Sequence, residues 1–281
     1  MRAHVTLHRL AEMKAQREPI VMITAYDHAT ARIAERAEVD MVLVGDSGAQ
    51  VVLGHASTAA VTVDEMLMLA AAVRRGIRSA FVVADVPFGS TEVSDEQAVA
   101  TAVRFVKEAG ADAVKLEGGG PARLARIRAI ADAGIVVVGH VGLTPQTAVA
   151  LGGLRAQGRT ADSAERFARE ALAVQDAGAS VLVIEAVPAE VVDAVLPALY
   201  IPVIGIGAGR ADGQVLVMHD LVGLTEGRTA VFVKRFADAG TVMADGVAAY
   251  AAEVRAGTFP AAEHGYSATP AAVAAARAAL D

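Results

Sequence analysis

Short valine-rich runs recur along this chain, and each follows a helical stretch that stops at a small-residue break. Three of the breaks contain an Ala-Gly pair and lead into DAVKLE (112–117), IVVVGH (135–140) and SVLVIE (180–185). Glycine directly after a helix adopts a positive φ at little cost, so it is the usual residue at such an end. Continuous apolar runs of this length are typical of strands that are buried on both faces of a parallel sheet. The repeat therefore predicts an α/β fold with parallel strands.

Eight strands are predicted, and they alternate with helices. The predicted strands lie near residues 20–24, 41–45, 80–84, 112–117, 135–140, 180–185, 202–206 and 214–219. For the eighth strand, VLVMHD is preferred over VFVKRF at 231–236. Eight strands in alternation with helices favour a closed (β/α)8 TIM barrel over an open doubly wound sheet.

The length of 281 residues fits either two ordinary domains or one barrel of about 250 residues. No linker, low-complexity tract or shift in composition divides the chain, so we predict a single (β/α)8 barrel domain over residues 1–281. Residues 1–16 are predicted to form an extra N-terminal helix that covers one end of the barrel. A C-terminal helical tail is predicted from about residue 265.

Charge and composition exclude several classes of protein. The formal net charge is −7 and the sequence contains no basic stripe, so we expect no nucleic-acid partner. No apolar run reaches the length of about 18 residues that a bilayer span needs, and the N-terminus lacks the apolar core of a secretion signal. The chain has no cysteine, which excludes disulfides and thiolate metal sites. We expect a soluble cytoplasmic protein without a membrane partner.

Acidic residues stand at the downstream ends of four of the apolar runs. They are Asp46, Asp85, Glu117 and Glu185. In a barrel of parallel strands these ends meet at one face, where the catalytic residues of such barrels lie. Carboxylates are the ligands that hard cations prefer, so the pattern predicts a metal site with an acid/base group beside it.

For Asp46 and Asp85, a helix cap or a turn is the alternative role, because aspartate frequently caps the helix after a strand. The capping residues of the next helices are predicted further along the chain, at Thr62 and Ser94. This leaves both aspartates without a helix to cap and favours the ligand hypothesis.

Lys115 and Glu117 lie two residues apart in a predicted strand, so both side chains point to the same face. A structural ion pair inside the barrel is one interpretation. We favour a functional one, in which Lys115 holds an anionic substrate close to a metal, because buried charges are costly unless they are paired or bound.

His140 is predicted to end the fifth strand, where a structural hydrogen bond and a substrate contact are both open alternatives. Glu185 is followed by the apolar residues Ala-Val-Pro and is a candidate for proton transfer, with a salt bridge as the alternative. The glycine-rich segment 205–214 has neither the Rossmann spacing nor a Walker ending. We expect it to let a substrate approach the backbone closely at the end of the seventh strand.

Eight long segments, in a fixed order, carry a further resemblance. They are ITAYDHATARIAE (23–35), LVGDSGAQVVLGHASTAAVTVDEM (43–66), ADVPFGS (84–90), AVKLEGG (113–119), GHVGLTPQ (139–146), LGGLRAQGRT (151–160), IPVIGIGAGRADGQVLVMHDLVGL (201–224) and FVKRFAD (232–238). Together they resemble the ketopantoate hydroxymethyltransferase family from about residue 6 to about residue 264.

This resemblance implies a barrel of the phosphoenolpyruvate mutase and isocitrate lyase superfamily. The implied reaction transfers a hydroxymethyl group from 5,10-methylenetetrahydrofolate to 3-methyl-2-oxobutanoate through a Mg2+-stabilised enolate. It gives 2-dehydropantoate and tetrahydrofolate in the biosynthesis of pantothenate, the precursor of coenzyme A. The resemblance also implies Mg2+ as the cofactor, the 2-oxo acid and the folate as small-molecule partners, and assembly into a homodecamer.

Roles for individual residues follow from the same matched segments. The implied metal ligands are Asp46, Asp85 and Glu117, and the implied catalytic acid/base is Glu185. The implied substrate contacts are Ser47, Asp85, Lys115 and His140.

The chain departs from the family pattern at a few positions. Leu69 stands where many members have histidine, Glu38 replaces a usual glycine, and Gly48-Ala49-Gln50 varies the loop after the Asp-Ser pair. None of these positions is an implied ligand.

Two other functions are compatible with such a barrel. One is a carbon–carbon or phosphorus–carbon lyase of the same superfamily, but such members typically carry a cysteine in a lid loop and this chain has none. The other is a catalytically silent relative that binds 2-oxo acids or serves as an assembly subunit. The presence of all four strand-end carboxylates disfavours the silent relative.

Overall fold

A closed barrel of eight parallel strands forms the centre of the structure, a computed structural model that describes residues 2–280. The strands pair in chain order, and the eighth closes the barrel against the first. They are β1 (Ile20–Thr24), β2 (Met41–Val44), β3 (Phe81–Asp85), β4 (Ala113–Glu117), β5 (Val136–Gly142), β6 (Val181–Glu185), β7 (Val203–Ile206) and β8 (Gly213–Leu216). The predicted (β/α)8 barrel is confirmed. Met1 and Asp281, the ends of the predicted 1–281 domain, lie outside the described residues.

Helices alternate with the strands up to β7. They are α1 (Leu7–Gln16), α2 (His28–Arg36), α3 (Gly48–Val51), α4 (Val63–Gly76), α5 (Asp95–Ala109), α6 (Pro121–Asp132), α7 (Ala161–Asp176), α8 (Ala189–Val195), α9 (Met218–Leu221), α10 (Ala239–Ala256) and α11 (Pro270–Ala278). The helix α1 lies ahead of β1, and α9, α10 and α11 follow β8. The predicted helix caps are present, since the side chains of Thr62 and Ser94 accept hydrogen bonds from the first turns of α4 and α5. Asp46 and Asp85 therefore have no part in capping these two helices.

Two predicted strands differ from the structure at their ends. The eighth strand is the one formed by the preferred segment, but it ends at Leu216 because the chain turns into α9 two residues later. Residues 231–236 form no strand. The prediction that His140 ends the fifth strand is wrong, because β5 continues to Gly142. The backbone at Gly142 has a φ of 93°, which glycine adopts readily, and a Cβ there would lie 2.4 Å from the carbonyl oxygen of Glu185.

The extra helix predicted for residues 1–16 is present as α1. Its buried residues, Leu10 and Met13, belong to the same apolar cluster as the side chains that fill the barrel interior, such as Met41 and Val183. A second, larger cluster lies between the strands and the outer helices. The helix α1 therefore closes the N-terminal end of the barrel and leaves the opposite end as the open mouth.

Three aspartates set the register of the strands at this closed end. Asp40, Asp112 and Asp212 directly precede β2, β4 and β8. Each carboxylate accepts a hydrogen bond from a backbone N–H at the start of the neighbouring strand β1, β3 or β7, at 2.9, 2.8 and 2.9 Å, respectively. Each carboxylate also lies beside a cation, and these cations are Arg2, Arg74 and Lys14. Each of these bonds ties the start of one strand to the start of its neighbour.

Glu38 follows α2 in a left-handed conformation. Its φ is 55°, a region that glycine adopts at little cost and glutamate does not. The glycine that the resemblance implies at this position would fit the turn without strain.

The C-terminal part of the chain differs from the barrel in burial. After Gly223, none of the described residues is buried, and this includes the whole of α10 and α11. A helical tail beginning at about residue 265 and a single domain over the whole chain stay predictions. Within residues 2–280, no helix combines the length and the apolar character that crossing a bilayer requires.

Candidate active site

The four acidic residues singled out from the sequence lie at the mouth of the barrel. Asp85, Glu117 and Glu185 are the last residues of β3, β4 and β6, and Asp46 follows β2 by two residues. Lys115 contacts Asp85 and Glu117, and His140 contacts Glu117 and Glu185. The predicted convergence is therefore present in the structure.

Neighbouring strands place the polar residues of the mouth in direct register. Asp85 is opposite Lys115, and Glu117 is opposite His140. One strand further, Gly142 is opposite Glu185. Since side chains at matching positions of parallel strands point to the same face, the charged groups are adjacent around the wall of the barrel.

Lys115 is the centre of this group of charges. Its Nζ lies 2.9 Å from Asp85 Oδ1, 3.9 Å from Glu117 Oε1 and 3.2 Å from His140 Nδ1. All four side chains are buried. Burial lowers the pKa of Lys115, but the negative charges of Asp85 and Glu117 outweigh it and raise the pKa above its usual value, so the ammonium group is charged.

His140 lies between two carboxylates. Its Nδ1 is 3.3 Å from Glu117 Oε1, and its Nε2 is 3.4 Å from Glu185 Oε2. Burial and the charge of Lys115 lower the pKa of His140, yet Glu117 and Glu185 together raise it to about 9. The protonated ring then donates from Nδ1 to Glu117, and its contact with Lys115 is one between like charges. The salt bridge considered for Glu185 is thus made to a histidine.

Glu117 keeps its negative charge in this setting. Burial raises the pKa of Glu117, but the hydrogen bond from His140 and the charges of His140 and Lys115 bring it below its usual value. Both carboxylate oxygens are engaged, one by His140 and the other by the backbone N–H of Gln146 at 3.0 Å.

Asp46 and Asp85 are two buried carboxylates that lie next to each other, so their negative charges repel. The backbone N–H of Asp46 donates to Asp85 Oδ2 at 2.9 Å. Burial, with the negative charges of Asp85 and Glu117, raises the pKa of Asp46 to about 7. Burial also raises the pKa of Asp85. A further positive charge beside these groups would stabilise their ionised forms.

The arrangement of Asp46 and Asp85 fits a hard divalent cation. Asp85 Oδ1 is buried and, apart from its ion pair with Lys115, has no hydrogen-bond partner. No set of three His, Cys, Asp or Glu side chains in the described part of the chain closes around a common point at metal-binding distance. Mg2+ does not need such a cage, since it is usually held by one or two carboxylates together with water and substrate oxygens.

Two further residues belong to the mouth, and sequence analysis did not assign them a role. The hydroxyl of the fully buried Tyr26 lies 2.8 Å from Ser47 Oγ, and burial raises the pKa of Tyr26 well above its usual value. Gln146, in the 3-10 turn Pro145–Thr147, contacts both Asp46 and Glu117. Both residues lie in segments that carry the family resemblance, which was the available indication, but neither is a charged residue at a strand end.

A cavity of about 570 Å3 is lined by Ala186, the residue after Glu185, but by none of the acidic residues of the mouth. The chain from Ala186 to Ala189 forms one wall, and the glycine-rich segment after β7 forms another. Phe232 lies against Gly207, whose absent side chain makes room for the ring. Arg159 adds a positive charge to this otherwise largely apolar lining. Ala189 packs against Gly209 as Phe232 packs against Gly207, so the room at these glycines is taken by the protein itself and the close approach of a substrate stays a prediction.

The sequence is similar to that of a known family of proteins. The family model described as ketopantoate hydroxymethyltransferase matches residues 4–262. The 3-methyl-2-oxobutanoate hydroxymethyltransferase of Rhodococcus jostii is 54% identical over 261 residues, which cover 92% of this chain and 89% of the relative. The protein of the same name from Gloeobacter violaceus is 49% identical over 253 residues, which cover 90% of this chain and 97% of the relative.

Similar solved structures include two enzymes of lower sequence identity. A phosphonopyruvate hydrolase in complex with oxalate and Mg2+ has a TM-score of 0.60 at 13% identity, with 92% of each chain covered. A 2,3-dimethylmalate lyase of the phosphoenolpyruvate mutase/isocitrate lyase superfamily has a TM-score of 0.58 at 18% identity, covering 94% of this chain and 92% of the other. At such identities the likeness shows the shared barrel fold alone.

Replacing Lys115 by methionine tests the balance of buried charge. Lys115→Met keeps the length of the side chain but leaves Asp85 and Glu117 without their shared cation. We expect the free energy of unfolding to fall by about 3–5 kcal/mol, as when one partner of a buried ion pair is removed. Urea denaturation in the presence of a chelator measures it, with Lys107→Met on the exposed face of α5 as the control. Equal stability of the two variants would contradict the central role of Lys115.

Proposed function

Because the chain belongs to the ketopantoate hydroxymethyltransferase family, we propose that it transfers a hydroxymethyl group from 5,10-methylenetetrahydrofolate to 3-methyl-2-oxobutanoate. The products are 2-dehydropantoate and tetrahydrofolate, and one water is consumed. The observation that carries the proposal is the buried network joining Asp85, Lys115, Glu117, His140 and Glu185 at the barrel mouth. We place the reaction in the cytoplasm, in the pantothenate pathway to which this family belongs.

We propose Asp46 and Asp85 as the residues that hold Mg2+, with Glu117 beside them. The raised pKa of Asp46 and its position beside the carboxylate of Asp85 support this choice. Bound there, Mg2+ supplies a Lewis acid that withdraws electron density from the 2-oxo group and makes the C3–H bond more acidic. Mg2+ in the related phosphonopyruvate hydrolase structure is consistent with metal use on this fold.

Lys115 is proposed to hold the negative charge of the substrate. Its ammonium group is buried and positively charged, so it interacts with an anion in surroundings where charges attract more strongly than in water. Ser47, which is only partly buried, adds a hydroxyl beside Asp46 for a substrate oxygen. Tyr26 fixes the position of that hydroxyl through its own hydroxyl group.

Glu185 is proposed to move the proton at C3. It is the most accessible carboxylate of the network, with 16% of its side chain exposed, and the next residue, Ala186, lines the cavity. His140 Nε2 lies 3.4 Å from it as an ion pair without hydrogen-bond geometry. When the C3 proton leaves, its electron pair forms the new carbon–carbon bond to the methylene carbon of the folate. The two carbon–nitrogen bonds of that carbon break, water supplies the oxygen of the new hydroxyl group, and the two folate nitrogens take up the C3 proton and one proton from water.

The cavity that Ala186 lines is the proposed place for the folate. Its largely apolar walls, which include Val187, Pro188 and Phe232, suit a flat aromatic ring system, and Arg159 suits an anionic tail. A donor bound there would present its methylene carbon next to the residue that is proposed to handle the proton.

Turnover with and without metal tests the proposal directly. Chelator-treated protein is expected to form no 2-dehydropantoate from the two substrates, and added Mg2+ is expected to restore the product, which mass spectrometry measures. Asp85→Ala is expected to abolish this activity, whereas Asp132→Ala, at the exposed end of α6, is expected to retain it. Activity that survives thorough chelation would exclude the metal. Binding of the 2-oxo acid without turnover would indicate a lyase with another substrate or a silent relative.

Glu185→Gln tests the proton-transfer role, because it removes the titratable group and keeps the shape of the side chain. We expect kcat to fall by about 100-fold or more, within the range for a general acid–base group, while the KM for the 2-oxo acid changes little. Steady-state kinetics at saturating Mg2+ measure both constants, with Glu190→Gln in the exposed first turn of α8 as the control. An unchanged kcat would assign proton transfer to another group.

Self-association as a homodecamer is proposed from the resemblance and from the surface of α10. One face of this helix exposes Met243, Val247, Tyr250 and Val254, and apolar patches of this kind mark contact surfaces. Sedimentation velocity is expected to show ten subunits for the wild type and smaller species for Val247→Asp, which places a charge on that face. A monomeric wild type at micromolar concentration would contradict the assembly.

A further inference from the structure

Gln146 is a buried polar side chain in the middle of the acidic mouth. It is 8% exposed and lies in the 3-10 turn Pro145–Thr147, which follows β5. The turn crosses over the ends of the preceding strands and so brings the glutamine next to residues that are distant in sequence. Asp46, for example, is 100 positions away.

Three hydrogen bonds connect Gln146 to three strand ends. Its Nε2 donates to Asp46 Oδ2 at 2.9 Å and to the carbonyl oxygen of Val86 at 3.0 Å, and its backbone N–H donates to Glu117 Oε2 at 3.0 Å. An amide nitrogen has two hydrogens, so both are used. Because both partners of Nε2 are acceptors, the nitrogen of the amide must face them, and the orientation of the side chain is determined.

A neutral hydrogen-bond donor can hold a carboxylate in place where several carboxylates are crowded together. Asp46 experiences repulsion from Asp85 and Glu117, and a free carboxylate would turn away from its neighbours. A hydrogen bond to one oxygen fixes the plane of the group, and it does so without adding the positive charge that would compete with a cation. Outer partners of this kind orient metal ligands in many proteins.

We propose that Gln146 is a positioning residue that holds Asp46 and Glu117 in the orientation that binds a divalent cation. The inference rests on the proposed function, because it takes these carboxylates as the metal site. It goes beyond that function in giving the metal site a support from the loop after β5. The second hydrogen bond of the same nitrogen, to the carbonyl oxygen of Val86, holds the amide in place independently of Asp46.

A purely structural role is the competing explanation, since the same bonds also satisfy buried polar groups. The two roles differ in what they predict for metal affinity. A residue that only tethers the loop changes the free energy of unfolding, whereas a residue that orients ligands changes the affinity for the metal in folded protein.

The test uses Mn2+ as the probe, because the electron paramagnetic resonance signal of free Mn2+ reports binding without turnover. Gln146→Met removes the two donors and keeps the approximate shape of the side chain. We expect the Kd for Mn2+ to rise by about 10-fold to 100-fold, the range found when an outer partner of a ligand is removed. Gln146→Asn, which keeps the amide but shortens the reach by one methylene, is expected to weaken binding as well.

Gln175→Met is the matched control. Gln175 is also a buried glutamine, but its Oε1 accepts hydrogen bonds from the backbone N–H groups of Tyr200 and Ile201, away from the acidic mouth. We expect this variant to lose stability in thermal unfolding and to bind Mn2+ with wild-type affinity. The comparison separates loss of packing from loss of ligand orientation.

The outcomes distinguish this inference from the proposed function. If the wild type binds Mn2+, Asp85→Asn does not, and both folded Gln146 variants bind as the wild type does, the inference is overturned while the metal site stands. The same holds if only Gln146→Asn folds and it binds normally. If the wild type itself does not bind Mn2+, both the metal site and the inference fail.

Discussion

The ammonium group of Lys115 is the charge on which the mouth of this barrel depends. Buried carboxylates repel one another and are poorly solvated, so a cluster of them persists only with a compensating cation. Lys115 lies within 2.9 Å of Asp85 and 3.9 Å of Glu117, and the protonated His140 adds a second positive charge between Glu117 and Glu185. Asp46 has neither of these close contacts, and its carboxylate has the raised pKa. A divalent cation beside Asp46 would thus supply the close positive charge that this carboxylate lacks.

The closed end of the barrel contributes stability, and the open end carries the groups that could act chemically. At the closed end, α1 fills the interior and aspartates such as Asp212 fix the strand starts through backbone hydrogen bonds. At the open end, Asp85 and Glu117 also accept a backbone N–H and contact a cation, but they are buried next to one another and next to Asp46. Asp46 forms no ion pair with a described residue, so its charge is the least compensated of the three. The rigid closed end allows these like charges to be held close together.

Sequence analysis located the acidic residues because a buried parallel strand has a strong pattern, and a charge at its end interrupts that pattern. It placed Asp85, Glu117 and Glu185 at strand ends, where they lie. It misplaced His140, because the valine-rich run gives no indication that β5 continues through two further residues to a glycine. It assigned no role to Gln146 or Tyr26, since a neutral side chain in a loop or after a strand has no pattern of its own. Their importance comes from contacts with Asp46 and Ser47 across the mouth.

The sequence by itself determined the barrel, the extra N-terminal helix and the family, because these depend on local hydrophobic patterns, helix caps and long matched segments. It also determined which carboxylates meet, since parallel strands in chain order leave only one end for them. Only the tertiary structure decided how the charges pair, that His140 connects Glu117 to Glu185, and that Gln146 ties Asp46 to Glu117. These features depend on distances of a few ångströms between residues far apart in the chain, and such distances are set by barrel closure and strand register.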